Sequence, residues 1–220
     1  MQVLLIRHGD PDYANDCLTA LGKREAQHLA DALERLEIDD IYVSPLGRAQ
    51  ETCGFTADRK GILPVALDWL MERGIGRDGI CLWEAPGETF LRAAKPSSQN
   101  EWFDLGKAMP EGREQFERVE RGFDTLLATH GYVRHGDLYR VEKASDKRIA
   151  LFCHKGVILT LLASILHWPL PMIFISLQIN PTGITRLVTV EENRLANFKA
   201  LAINDLTHLR SQAHDARSTK

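Results

Sequence analysis

The sequence contains few cysteines, and their spacing indicates neither a disulfide framework nor a zinc site. The four lie far apart, with no C-x-x-C pair, at Cys17, Cys53, Cys81 and Cys153. Cys153 stands inside an apolar run and is expected to be a buried core thiol. Since reduced cysteines are typical of the cytoplasm, we predict a cytoplasmic protein.

An excess of positive charge and long hydrophobic runs are also missing. The 27 Lys and Arg residues against 30 Asp and Glu give a formal net charge of −3. A mildly acidic chain has no general attraction for nucleic acid or membranes, so we predict neither as a partner. The longest apolar stretch, residues 157–166, is far shorter than the roughly 20 residues of a membrane span. The apolar run at residues 1–6 is too short for a secretory signal.

Sequence signatures of metal and dinucleotide sites are weak or missing. No H-E-x-x-H segment occurs, and we predict neither a metal nor an organic cofactor. Residues 74–79 fit G-x-G-x-x-G, but a dinucleotide-binding motif also needs a following helix, and residues 80–86 form no convincing one. We interpret these glycines as loop residues.

Short apolar runs of strand type alternate with segments of helical period. Residues 3–6 and 41–43 predict buried strands, and Thr19 is an N-cap candidate for a helix that continues to about residue 36. Ser44-Pro45 opens a second helix, with Pro45 in its first turn. This alternation predicts an α/β fold, a three-layer α/β/α sandwich with a mostly parallel central sheet.

The regular pattern is lost in the middle of the chain. From residue 69 to about residue 110 the sequence is rich in Gly, Pro and Trp. Long irregular insertions in a compact domain are more often binding segments than spacers. We therefore predict a single domain over residues 1–220 with an inserted cap or lid at about 69–115.

Two predicted strands end in a histidine. His8 follows the first apolar strand and His154 follows another at residues 149–153. Ligands of α/β sheets bind beyond the carboxyl ends of the strands, so neighbouring strands would bring both histidines to one pocket. Arg7 follows the first of these strands, and Arg48 lies in the first turns of the helix after the strand at residues 41–43. Their planar guanidinium groups match the oxygens of a phosphoryl group.

The order of these motifs resembles the histidine phosphatase superfamily, which includes cofactor-dependent phosphoglycerate mutase. The matching segments are Leu5-Ile6-Arg7-His8-Gly9, Leu18-Thr19-Ala20-Leu21-Gly22, Ser44-Pro45-Leu46-Gly47-Arg48-Ala49 with Thr52, Phe152-Cys153-His154-Lys155-Gly156, and Ile203-Asn204-Asp205 with His208-Leu209. Together they span nearly the whole chain.

The resemblance implies a role for each matching residue. His8 is expected to attack phosphorus and become phosphorylated, with a backbone acceptor holding its other ring nitrogen. Arg7, Arg48 and His154 are expected to bind the phosphoryl oxygens. Glu72 stands where the family usually places the acid that protonates the leaving group.

Some positions depart from the family pattern or remain open. Glu84 is the alternative to Glu72 as the acid. Lys155 stands where the family usually has a small residue, and either contacts the substrate or points to solvent. The segment after Gly9 also differs, and Asn15 is the candidate there for a substrate contact.

The tetrapeptide Arg7-His8-Gly9-Asp10 occurs a second time at residues 134–137. The second copy follows no apolar strand, so we predict a loop and do not expect His135 to contact substrate.

The resemblance favours a metal-independent phosphatase acting on a small phosphate monoester. The alternatives are mutase-type phosphotransfer and a non-catalytic phospholigand-binding module on the same scaffold.

Overall fold

The structure is a computed structural model that describes residues 1–73 and 110–209. Within these ranges the strands are β1 (Gln2–Arg7), β2 (Pro11–Asp12), β3 (Cys17–Leu18), β4 (Asp40–Val43), β5 (Val65–Ala66), β6 (Tyr132–His135), β7 (Leu138–Val141), β8 (Arg148–Cys153), β9 (Ile184–Glu192) and β10 (Leu195–Asp205). The helices are α1 (Ala20–Glu34), α2 (Gly47–Lys60), α3 (Pro110–Thr129), α4 (Lys155–Leu166) and α5 (Leu170–Ser176), with a 3-10 turn at Asp68–Leu70.

Eight strands form one sheet in the order β5-β4-β8-β1-β9-β10-β7-β6. Strands β5, β4, β8 and β1 run parallel, whereas every pairing from β1 through β9 and β10 to β7 and β6 is antiparallel. The predicted α/β fold class is confirmed. The structure adds that the parallel half contains both strands that end in a histidine, β1 and β8.

Helices cover both faces of the sheet, and β1 shows why. Successive residues of a strand point to opposite faces, so Val3 and Leu5 enter one core and Leu4 and Ile6 enter the other. The first core includes residues of α3, α4 and α5, and the second includes residues of α1 and α2. Burial on both faces explains why β1 is a continuous apolar run.

The starts of α1 and α2 differ in how well the sequence predicts them. Thr19 caps α1 as expected, because its hydroxyl accepts a hydrogen bond from the Gly22 N–H at 3.0 Å. The expectation that Pro45 lies in the first turn of α2 is wrong. Leu46 is extended and the helix begins at Gly47, since the N–H of Leu46 bonds to the Ser44 hydroxyl and forms a turn first.

The second copy of the tetrapeptide is not the predicted loop. Arg134 and His135 end β6, and the chain turns at Gly136, with φ of +61°, into β7. The Arg134 guanidinium bonds to the Asp124 carboxylate, which also accepts the Tyr139 hydroxyl. This contact network gives Arg134 a structural role.

The insertion predicted at about 69–115 lies largely outside the described residues. Its described flanks are the 3-10 turn at Asp68–Leu70 and the start of α3. Of the helices that the structure describes, none has the length and apolar character to cross a membrane.

Candidate active site

Neighbouring parallel strands place the two predicted histidines side by side. Strand β8 lies between β1 and β4, so all three end at one edge of the sheet. The hydrogen-bond ladder continues one residue further, since the His8 N–H donates to the Cys153 carbonyl at 3.0 Å and the Ser44 N–H donates to the Phe152 carbonyl at 2.9 Å. His8, Ser44 and His154 therefore lie together just beyond the strand ends.

The imidazole rings of His8 and His154 are both fully buried, with centroids 5.1 Å apart. His8 Nδ1 lies 2.7 Å from the Gly9 carbonyl oxygen. A carbonyl can only accept, so Nδ1 carries the proton and the lone pair is on Nε2. Burial and the charges of Arg7 and Arg48 lower the pKa of His8 to about 3, against the opposing effect of the Gly9 hydrogen bond.

His154 contacts strand β4 through a side chain. Its Nε2 lies 2.8 Å from the Ser44 hydroxyl, and its Nδ1 faces the Glu72 carboxylate at 3.9 Å. Burial, followed by the proximity of His8 and the two arginines, lowers its pKa to about 2. Both imidazoles are therefore neutral in the folded protein near pH 7.

The two arginines are each held by one end of the guanidinium group. Arg7 donates to the Ile179 carbonyl at 2.6 Å, and Arg48 donates to the Asp16 carboxylate at 2.5 Å. The Nε atoms of both are buried and have no hydrogen-bond partner. Among the described residues five buried side-chain polar atoms lack a partner, and four of them belong to Arg7, His8, Arg48 and His154.

The carboxylate of Glu72 completes this cluster. One oxygen accepts the Gly156 N–H at the start of α4 at 2.9 Å, and the other lies 3.7 Å from Arg48. Arg118 of α3 holds the preceding segment by donating to the Met71 carbonyl at 2.8 Å. The ligand-type atoms of His8, Glu72 and His154 all lie within 4.8 Å of one another. Histidine and glutamate side chains also bind transition metals, which any activity assay has to control for.

The structure thus brings together all five residues predicted to be catalytic: Arg7, His8, Arg48, Glu72 and His154. Lys155 donates to the Gln178 side chain at 2.9 Å. Asn15 is exposed and its amide donates to Asp12 at 2.7 Å. The alternative acid Glu84 and the glycine pattern at 74–79 lie outside the described residues.

Two supporting side chains had no role assigned from the sequence, although Thr52 belongs to one of the matching segments. Thr52 is fully buried, accepts the Gly9 N–H at 3.0 Å and donates to the Arg48 carbonyl at 2.7 Å, so it links the loop after β1 to α2. Its spacing of four residues from Arg48 on a helix was an available signal. Asp16, the partner of Arg48, had no signal, because its contact joins residues 32 apart through a turn.

The sequence pattern of the histidine phosphatase superfamily (branch 1) matches residues 3–201. The chain belongs to this superfamily. The predicted resemblance is therefore confirmed, and the matched range contains every residue of the cluster.

Known phosphatases and a phosphoglycerate mutase are similar to this chain to different extents. A glucosyl-3-phosphoglycerate phosphatase from Mycolicibacterium vanbaalenii is 28% identical over 178 residues, which is 76% of this chain and 75% of that protein. A 2,3-bisphosphoglycerate-dependent phosphoglycerate mutase from Thermoplasma acidophilum is 34% identical over 84 residues, covering 34% of this chain and 42% of the mutase. The structure of a phosphoserine phosphatase from Entamoeba histolytica with 3-phosphoglyceric acid has a TM-score of 0.65 at 20% identity, over 94% of this chain and 98% of that one. The last comparison supports the fold alone.

Proposed function

We propose that this histidine phosphatase hydrolyses a small phosphate monoester through a phosphohistidine on His8. The observation that carries the proposal is the convergence of four buried, unpartnered nitrogens at one edge of the sheet. Unpartnered buried polar atoms are rare in folded proteins, and a cluster of them indicates a ligand that supplies the missing hydrogen bonds. A tetrahedral phosphoryl group offers oxygens to the donors and an electrophilic phosphorus to the lone pair.

Three of the four nitrogens suit the phosphoryl oxygens. The free N–H groups of Arg7 and Arg48 donate charge-assisted hydrogen bonds, each contributing about 1.5–3 kcal/mol. The Ser44 hydroxyl accepts from the Leu46 N–H and can donate its own proton to His154 Nε2. In that arrangement the proton of neutral His154 is on Nδ1, where it donates to a third phosphoryl oxygen.

The fourth nitrogen, His8 Nε2, suits the nucleophile. The Gly9 carbonyl fixes the proton on Nδ1, and the lowered pKa keeps the ring neutral throughout the neutral range. In the first step the bond between Nε2 and phosphorus forms while the bond between phosphorus and the ester oxygen breaks. The donors are held in place before the reaction begins. They can therefore stabilise the charge that develops on the phosphoryl oxygens with little reorganisation of the site.

Glu72 lies where it can donate a proton to the leaving oxygen and later accept one from water. One of its carboxyl oxygens lies within 4.8 Å of a ring nitrogen of each histidine, close to where the leaving oxygen must be. In its protonated form it donates to the leaving alkoxide. In the second step the carboxylate takes a proton from water as the water oxygen attacks phosphorus, and the bond to Nε2 breaks to release phosphate.

The relatives suggest the substrate class. The phosphatase that matches most of this chain is named for a phosphoglycerate derivative, and a phosphoserine phosphatase shares the fold. We infer a small carboxylated phosphate monoester as the first class to screen. We also propose that the reaction needs no metal and that a single domain, with residues near 69–115 inserted as a cap, carries it.

The test is hydrolysis of p-nitrophenyl phosphate with EDTA present, comparing wild type, His8→Ala and His135→Ala. His135 is a matched control, because it is exposed and occupies the same place in the second copy of the tetrapeptide as His8 does in the first. We expect wild type and His135→Ala to turn over and His8→Ala to be inactive. Rapid quenching with labelled phosphate ester should trap a base-stable phosphoenzyme that His8→Ala lacks.

Other results would change the proposal. Full activity of His8→Ala would overturn the phosphohistidine mechanism. If wild type is active without EDTA and inactive with it, the reaction needs a metal and the metal-free proposal is wrong. If wild type transfers phosphoryl groups between glycerates but releases none to water, mutase chemistry is correct instead.

A further inference from the structure

The Asp16 carboxylate holds both the start of α2 and the side chain of Arg48. One oxygen accepts the Gly47 N–H at 2.7 Å and the other accepts from the Arg48 guanidinium at 2.5 Å. The Arg48 side chain is 10% exposed and the Asp16 side chain is 40% exposed, so the carboxylate lies on the solvent side of the arginine. The Tyr13 ring also lies against the guanidinium, with its centroid 5.3 Å from Cζ.

The backbone around Asp16 is arranged for this contact. Asp16 has φ of +48°, a left-handed conformation that a residue with a side chain seldom adopts. Such conformations persist where neighbouring contacts fix them, and they are frequent at functional sites. Here the Asp16 carbonyl approaches α2 so closely that a Cβ at Gly47 would lie 2.2 Å from it. Gly47 therefore lets the strained turn lie directly against the first turn of α2.

These contacts leave Arg48 with one orientation. Asp16 takes one terminal nitrogen, Glu72 lies 3.7 Å from the other, and the buried Nε has no partner. Without the Asp16 carboxylate, the guanidinium could rotate about its long side chain toward Glu72 or solvent.

We propose that Asp16 is a positioning residue that fixes the Arg48 guanidinium for binding the phosphoryl group. The proposal rests on the function proposed above, in which Arg48 binds phosphoryl oxygens. Asp16 itself touches no reacting atom and acts through Arg48. Burial disfavours ionisation of Asp16, but the bonds from Gly47 and Arg48 outweigh it and lower its pKa, so the carboxylate is charged at neutral pH.

Replacing this carboxylate by a neutral amide separates two effects of opposite sign. Loss of a negative charge beside an anion site would by itself strengthen phosphate binding. Loss of the Arg48 orientation weakens it instead. The direction of the change in phosphate affinity therefore distinguishes a positioning role from a general charge effect.

The experiment measures kcat/KM for p-nitrophenyl phosphate and calorimetric binding of inorganic phosphate. The variants are Asp16→Asn, Arg48→Ala and the double variant, with Asp16→Ala as a second replacement. Asparagine keeps an oxygen that can accept the Gly47 N–H, and the exposure of the side chain allows the exchange. Asp31→Asn is the control, since Asp31 also pairs with an arginine, Arg59, but on the surface.

We expect Asp16→Asn to lower kcat/KM by about 10- to 100-fold and to weaken phosphate binding, because a misplaced binding group can reduce rates by such factors. In the Arg48→Ala background the same replacement should have no further effect. Wild-type behaviour of Asp16→Asn, tighter phosphate binding, or an equal loss in both backgrounds would each overturn the positioning role. An inactive wild type would refute the proposed function rather than this inference.

Discussion

Lowering the pH from 7 to 5 should destabilise the protein through His8 and His154. Both have an ordinary pKa near 6.5 when unfolded, and burial lowers it in the folded protein to about 3 and about 2. Well above pH 6.5 the folded and unfolded states both hold neutral rings, so these groups do not make stability depend on pH. Below it only the unfolded chain takes up protons, so stability falls as the pH falls. The slope approaches about 1.4 kcal/mol per pH unit for each histidine.

Between pH 7 and pH 5 this corresponds to about 2 kcal/mol per histidine, and about 4 kcal/mol for the pair. That loss is a large part of the 5–15 kcal/mol by which domains are typically stable. The assay is urea unfolding at pH 7, 6 and 5, followed by far-UV circular dichroism. The buffers must be free of phosphate, because an anion that binds only the folded state would offset the loss.

A variant isolates the contribution of one ring from all other titrating groups. Between pH 7 and pH 5 the free energy of unfolding of His154→Asn should fall by about 2 kcal/mol less than that of wild type, whatever the stability of the variant at pH 7. His135→Asn, at an exposed position, should follow the wild-type dependence. Equal pH dependence of His154→Asn and wild type would refute the conclusion that the folded protein holds His154 neutral.

Three further substitutions are each compared with a control, which is a second substrate for Glu72 and a second residue for Thr52 and Gly22. Glu72→Gln should lower kcat by about 10²–10⁴-fold on an alkyl phosphate and less on p-nitrophenyl phosphate, whose leaving group needs little protonation; equal losses would argue against an acid role. Thr52→Val leaves the Gly9 N–H buried without its acceptor and should cost about 1–3 kcal/mol in urea unfolding, whereas Thr56→Val, which removes a buried hydroxyl without a partner, should not. Gly22→Ala would place a Cβ 2.2 Å from a backbone carbonyl and should lower the melting temperature, while Gly54→Ala, with open space around it, should not.

The sequence was most informative where local rules decide the structure. Apolar runs of strand and helix period located β1, β8 and α1, because burial on one or two faces imposes those periods. Motif order then identified His8 and His154 as a pair. Their contact depends on β1 lying beside β8, which is a tertiary arrangement that no local pattern specifies.

Where tertiary contacts decide, the sequence was silent or misleading. The second tetrapeptide ends a strand rather than forming a loop, because β6 pairs with β7 in a hairpin and Arg134 bonds to Asp124 of α3. The sequence did not indicate the role of Asp16 for the same reason. That role depends on a left-handed turn that lies against Gly47. Both residues pair with groups that only the folded chain brings near.

The acid sensitivity and the proposed chemistry share one physical origin. A histidine left in water would be partly protonated near neutral pH and unable to attack phosphorus. Burial at the strand ends, with Arg7 and Arg48 beside the rings, removes that proton and keeps the His8 lone pair available. The same burial leaves His154 Nδ1 and the Nε atoms of Arg7 and Arg48 as donors without partners. The oxygens of a phosphoryl group can accept from these donors, so phosphate that binds only the folded state should raise stability by an amount set by its concentration and its Kd.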